Sequence, residues 1–109
     1  MKLANPFPQS VRLLFLYVHA CFICQRSDRG LELHHIVGRS SSSAFNAIPI
    51  CPVCHSKMGH SQEEESQLFG LLLPFLFNVK FQPLSSDYEF LIKNNHLIKG
   101  QEIEKWLNN

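Results

Sequence analysis

Four cysteines and four histidines carry most of the chemistry open to this chain. The cysteines form two C-x-x-C pairs, Cys21 and Cys24 in "CFIC" and Cys51 and Cys54 in "CPVC". Each such turn brings two thiolates to one side of a tight loop, and two turns supply the four ligands of a tetrahedral zinc site. In a short secreted chain the same residues would read as two disulfides. The matched knuckle spacing and the surrounding histidines favour zinc, and with it a reducing compartment, the cytoplasm. The histidines are His34 and His35, adjacent in "LELHHIVGR", then His55 directly after the last cysteine, and His60. Four thiolates close a zinc ion, so imidazoles beside them would serve a second, open divalent-cation site suited to catalysis. His19 and His96 stand apart and read as ordinary surface or core residues.

The elements that must position these groups are partly visible. "QSVRLLFLYVHAC" has Val11, Leu14, Phe15 and Val18 at helical spacing, which predicts an N-terminal helix over about residues 10–20 capped by Ser10. "SDRG" signals a turn, and "LELHHIV" is β-rich and predicts a strand. Successive side chains on a strand point to opposite faces, so His34 and His35 should do different jobs. "GRSSSSAFNA" reads as a polar loop, "IPI" as a short strand, and "CHSKMGH" as the start of a helix at or just after Cys54. The 26 residues between Cys24 and Cys51 exceed the roughly 15–20 of a zinc ribbon, so something substantial is built inside the zinc loop. Ser61 with Glu64, and Ser86 with Glu89, read as capping boxes opening two later helices, the first running towards Pro74. "QEIEKWLNN" reads as a short helix after Gly100. Residues 61–109 are thus a helical part, in a chain expected to form one domain.

Composition is that of a soluble globular protein, 45% hydrophobic and 17% charged over 109 residues. The formal net charge is +1, unevenly placed. Residues 1–60 hold six Lys/Arg against two acids, and residues 61–109 hold four against seven. A basic half can meet a polyanion while an acidic half stays clear of it, although chance surface variation explains the bias as well. The apolar run before Cys21 is too short for a lipoprotein signal, and lipidating Cys21 would spoil a knuckle. "LFGLLLPFLF", residues 68–77, is too short to span a bilayer, which excludes a membrane partner. It reads as core, favoured over a homodimer interface through residues 68–77.

The order Cys-x-x-Cys, His-His, Asn, Cys-x-x-Cys-His resembles the HNH endonuclease family in its four-cysteine form. It is carried by "CFIC", "LELHHIVGRS", Asn46 in "FNAIPIC" and "CPVCH", about residues 21–60. Asn46 stands five residues before Cys51, the family's habitual spacing. The resemblance implies an α+β fold with a ββα-metal core, two antiparallel strands and a helix around a catalytic metal, plus a four-cysteine structural zinc site and flanking helices. It implies that His35 is the general base, that His34 and His55 hold the catalytic metal, and that Asn46 braces the loop and orients the base. Arg39 matches a basic residue facing the phosphate. The implied cofactors are structural Zn²⁺ and a catalytic Mg²⁺ or another divalent cation such as Mn²⁺, Ni²⁺ or Zn²⁺; the implied partner is DNA, cut to a 5′-phosphate and a 3′-hydroxyl. The small size suits a phage or mobile-element enzyme.

His60 stays open. A second helix histidine in this family stands four residues on, about 40° round the helix, whereas His60 is five on, about 140° round a regular helix. Gly59 can end or kink that turn and return His60 to the metal; a surface helix-cap role is the equal alternative. Arg26, Arg29 and Lys57 would make salt-sensitive, sequence-blind phosphate contacts, or serve only as solubilising charges. Phe45 and Ile48 read as core. "CFICQR" is also similar to the zinc motif of the phage endonuclease VII type of Holliday-junction resolvase, an intertwined dimer. That group has Asp-His and Asn where this chain has His-His and His55. The competing class is a non-catalytic zinc-finger module that binds nucleic acid, which leaves His34, His35, Asn46 and His55 unexplained.

Overall fold

The computed structural model describes residues 7–98 and 100–107. The fold is α+β, with helices α1 (Gln9–Leu14), α2 (Pro52–Lys57), α3 (Gln62–Asn78), α4 (Ser85–Lys93) and α5 (Gly100–Leu107) around strands β1 (Glu32–His35) and β2 (Ala47–Ile50). Short 3₁₀ turns at Ala44–Asn46 and Asn95–Leu97 complete it. No described helix is long and apolar enough to cross a membrane.

The two strands pair antiparallel, with Glu32 opposite Ile50, His34 opposite Ile48 and His35 opposite Ala47. Pro49 sits within β2 without penalty, because each strand of a two-stranded sheet has a free edge for the missing N–H. Its carbonyl instead accepts from the N–H of Phe22 at 3.2 Å, tying the first cysteine turn to the sheet. The chain leaves β1 through Gly38, whose φ of +106° suits glycine rather than a side-chain-bearing residue.

The core lies between the sheet and α3. Leu68, Phe69, Leu72, Leu73 and Leu76 of α3 are buried, as are Phe45, Ile48 and Ile50 beneath them. These five residues of the apolar run 68–77 therefore lie in the chain's own core, whereas Leu71 is exposed. Trp106 of α5 stands edge-on to Phe45 and Phe77, with centroids 5.0 and 5.5 Å apart, and holds the C-terminal helix against this centre.

Local signals were met unevenly. The Ser61–Glu64 box forms with both reciprocal bonds, but α3 runs through Pro74 to Asn78. Proline there removes only the bond to the Gly70 carbonyl, and the buried residues on either side outweigh that loss. The box expected at Ser86 and Glu89 does not form. Helix α4 begins at Ser85, and Asp87 accepts from the N–H of Leu84 at 2.8 Å. Asp87 also accepts the hydroxyl proton of Ser43, and this tie from a distant loop fixes the helix start. The N-terminal helix is shorter than the 10–20 expected, and its cap residue is Pro8, not Ser10. Beyond Leu14 the chain continues in i→i−3 turns (Leu16 to Leu13, Val18 to Phe15), which seat Phe15 against Phe22 and Phe75 before Cys21. Helix α2 starts earlier than Cys54, at Pro52, with the Cys51 sulfur accepting from the N–H of Cys54.

Candidate functional site

The four sulfurs of Cys21, Cys24, Cys51 and Cys54 lie within 4.8 Å of one another. Those of Cys24 and Cys51 are 3.8 Å apart, too far for a disulfide and close to the roughly 3.8 Å edge of a tetrahedron with 2.3 Å zinc–sulfur bonds. Backbone N–H groups point at the sulfurs: Ile23 and Cys24 donate to Cys21, and Cys54 donates to Cys51. The Cys54 N–H leads the effects that draw the Cys51 thiol down to about 6, while burial pushes Cys54 up to about 12. Four thiols this close ionise together only beside a cation, and the donor set and spacing fit a structural zinc. Arg29, expected on DNA, sends Nη1 to 4.0 Å from the Cys51 sulfur, where its charge offsets the thiolates. Arg26 is also engaged, chelating Asp28 at 3.0 and 2.6 Å.

The second cluster is built from β1, the loop that follows it and the far end of α2. His34, His35, Gly38, Arg39, His55 and His60, with Leu33, line a pocket of about 230 Å³. The rings of His34 and His55 are 4.9 Å apart, and those of His34 and His60 are 5.7 Å apart. His60 reaches the pocket because α2 stops at Lys57 and Met58 turns extended, so the regular-helix rotation never applies. Among the described residues the four thiols alone meet the mutual spacing of a metal site; the imidazoles share the pocket at longer distances.

The adjacent histidines have separate surroundings. His34 meets His55 and His60, whereas His35 stacks on Phe7 with centroids 4.1 Å apart. Nε2 of each is buried and makes no hydrogen bond among the described residues. Such an orphaned nitrogen is costly in an inert core and ordinary in a group that binds a cation or moves a proton. Burial holds His34 down at about 4, helped by the neighbouring imidazoles, so it is neutral at physiological pH and offers a lone pair. His35 is lowered for the same first reason, with Arg39 second.

Asn46 is fully buried and holds the loop that leaves β1. Its Oδ1 accepts from the N–H of Val37 at 2.9 Å, and its Nδ2 donates to the carbonyls of Gly38 and Ser41 at 2.8 and 2.9 Å. Replacing Asn46 by alanine strands one donor and two acceptors in a closed site. The variant is expected to lose about 3 kcal/mol of stability, read by denaturant titration; a loss under about 1 kcal/mol would mean that the loop holds its shape without it.

No protein-family model, curated protein or solved structure matches this chain. Its chemistry must be read from its own residues.

Two contributors escaped the sequence reading. Glu32 Oε1 lies 2.7 Å from His55 Nδ1, an arrangement that fixes the ring and leaves Nε2 free as a ligand atom. Glu32 is two residues before His34 on the strand and so shares its face, a signal open to inspection. Phe7, which covers one face of His35, had no such signal. Glu32→Gln should weaken binding of a second divalent ion by about tenfold in a calorimetric titration while zinc content stays unchanged. An unaltered affinity would remove Glu32 from the site. Arg39 stands exposed at the pocket rim and Lys57 at the end of α2; neither makes an ion pair among the described residues.

Proposed function

We propose that this chain is a metal-dependent endonuclease of the HNH type that hydrolyses DNA phosphodiester bonds. The observation that carries the reading is that His34 and His35, whose buried Nε2 atoms have no hydrogen-bond partner among the described residues, line one pocket with His55 and His60. A bare zinc module has no use for them. His34, His55 and, with α2 ending early, His60 would hold the catalytic divalent cation. When bound, that cation supplies positive charge to the phosphate and to the leaving oxygen.

The chain's own part is proton transfer and placement. A neutral His35 takes a proton from water as the water oxygen bonds to phosphorus. The bond from phosphorus to the 3′-oxygen breaks, and that oxygen takes a proton from solvent. Phe7 restricts the ring of His35 from one side, and Asn46 holds the Gly38–Ser41 turn that carries Arg39 to the rim. From there the Arg39 guanidinium can pair with a phosphate oxygen.

The experiment is end-group analysis of a labelled oligonucleotide incubated with the protein and Mg²⁺ or Mn²⁺. The expected fragments carry a 5′-phosphate and a 3′-hydroxyl. Fragments with a 3′-phosphate would instead mean that the 5′-oxygen leaves, contrary to the proposed step. One observation favours the second reading, a non-catalytic zinc-bearing nucleic-acid module: only the thiols meet metal-site spacing among the described residues. That module would bind one metal per chain and leave DNA intact.

A further inference from the structure

A larger pocket, about 590 Å³, is bordered by the same loop. Its walls are Val11 and Leu14 of α1 and Phe81 and Leu84 ahead of α4; its rim carries Ser40 to Ser43, Ser86 and the carboxylate of Asp87. This volume lies in the range of pockets that enclose small organic groups. Among the described residues no lysine or arginine lines it, so they offer a phosphate no counter-charge there. What it offers is apolar surface for a flat ring and neutral hydroxyls for polar edges. The hydroxyls of Ser40, Ser42 and Ser86 make no hydrogen bond among the described residues, whereas that of Ser41 accepts from the Ser43 N–H and that of Ser43 donates to Asp87 and accepts from the Phe45 N–H.

Its position ties it to the catalytic pocket. Gly38 and Arg39 line the histidine site, and the next residue, Ser40, lines this one. A strand whose phosphate meets Arg39 therefore runs beside the loop that also borders the second pocket. A base stacked and paired in a duplex cannot enter; an unpaired one can leave the strand and do so. Hydroxyls both donate and accept, so they take any base without reading its identity.

We infer that the pocket walled by α1, the Ser40–Ser43 loop and the start of α4 receives the base of an unpaired nucleotide beside the scissile phosphate, which directs the enzyme to DNA containing unpaired segments. This inference rests on the nuclease reading. It assigns the serine run a purpose that the catalytic pocket leaves unused.

The test uses three labelled duplexes of one sequence: fully paired, with a three-nucleotide bulge, and with the same bulge made abasic. Ser86→Trp, at an exposed position on the pocket rim, puts an indole into the space. Wild type should cleave the bulge about tenfold more efficiently than either of the other two. Ser86→Trp should lose that preference while cutting the paired duplex at the wild-type rate. Equal cleavage of basic and abasic bulges, or a preference that survives Ser86→Trp, overturns the pocket. Binding of the same three DNAs, measured by anisotropy without added divalent cation, separates the two claims. Base-dependent binding abolished by Ser86→Trp, with no cleavage under any metal, sinks the nuclease and keeps the pocket; base-independent binding sinks the pocket itself.

Discussion

Stripping zinc with a strong chelator is expected to unfold this chain outright. The four-cysteine cluster joins distant segments: the turn at Cys21–Cys24 lies before β1, and Cys51–Cys54 forms the start of α2. Zinc binding by such ligand sets contributes on the order of 10–16 kcal/mol, at least as much as the whole stability of a typical domain. Cys21 and Cys51 are buried, so the metal-free state would leave two close-packed sulfurs out of water with only the Arg29 guanidinium nearby. Loss of the helical circular-dichroism signal should track zinc release, one ion per chain in a colorimetric assay. Zinc release with the helical signal intact would show that the core folds unaided and that the cysteines serve something other than the fold.

The second large effect is expected at His35. Its replacement by alanine removes the proposed base and should lower the rate of DNA cleavage by about 10²–10⁴-fold. The zinc cluster lies outside the contacts of this residue, so zinc content should be unchanged. The pH dependence carries its own sign. Only neutral imidazole accepts a proton, and burial with Arg39 nearby lowers the value for His35, so the acid limb of kcat/KM should fall below the ordinary imidazole value of about 6.5. An acid limb at pH 7 or above would assign it to another group. Folding stability moves in the same direction. The unfolded chain protonates His34 at its ordinary value, the folded chain only at about 4, so stability is lost as pH falls through that window.

Parts of this structure were legible because their causes are local. Paired cysteine spacing places two sulfurs together whatever surrounds them, and the Ser61–Glu64 box needs only four consecutive residues. Features set by distant contacts were not. The start of α4 depends on Asp87 meeting Ser43 across 44 positions, and a local reading chose the wrong box. His60 could not be placed without knowing that α2 ends at Lys57, a stop that a rotation per residue does not contain. Glu32 stands between these cases. Strand alternation puts it on the face of His34, but its partner His55 is 23 residues on and is met only once α2 packs on β1.

The most direct test of the account is relaxation of supercoiled plasmid by wild type and His35→Ala, matched for zinc content, with Mg²⁺ or Mn²⁺ added. The account predicts nicking by wild type and none by the variant. Equal nicking by both would contradict the role of His35, and intact plasmid with either protein and every cation would leave a zinc-bearing binding module.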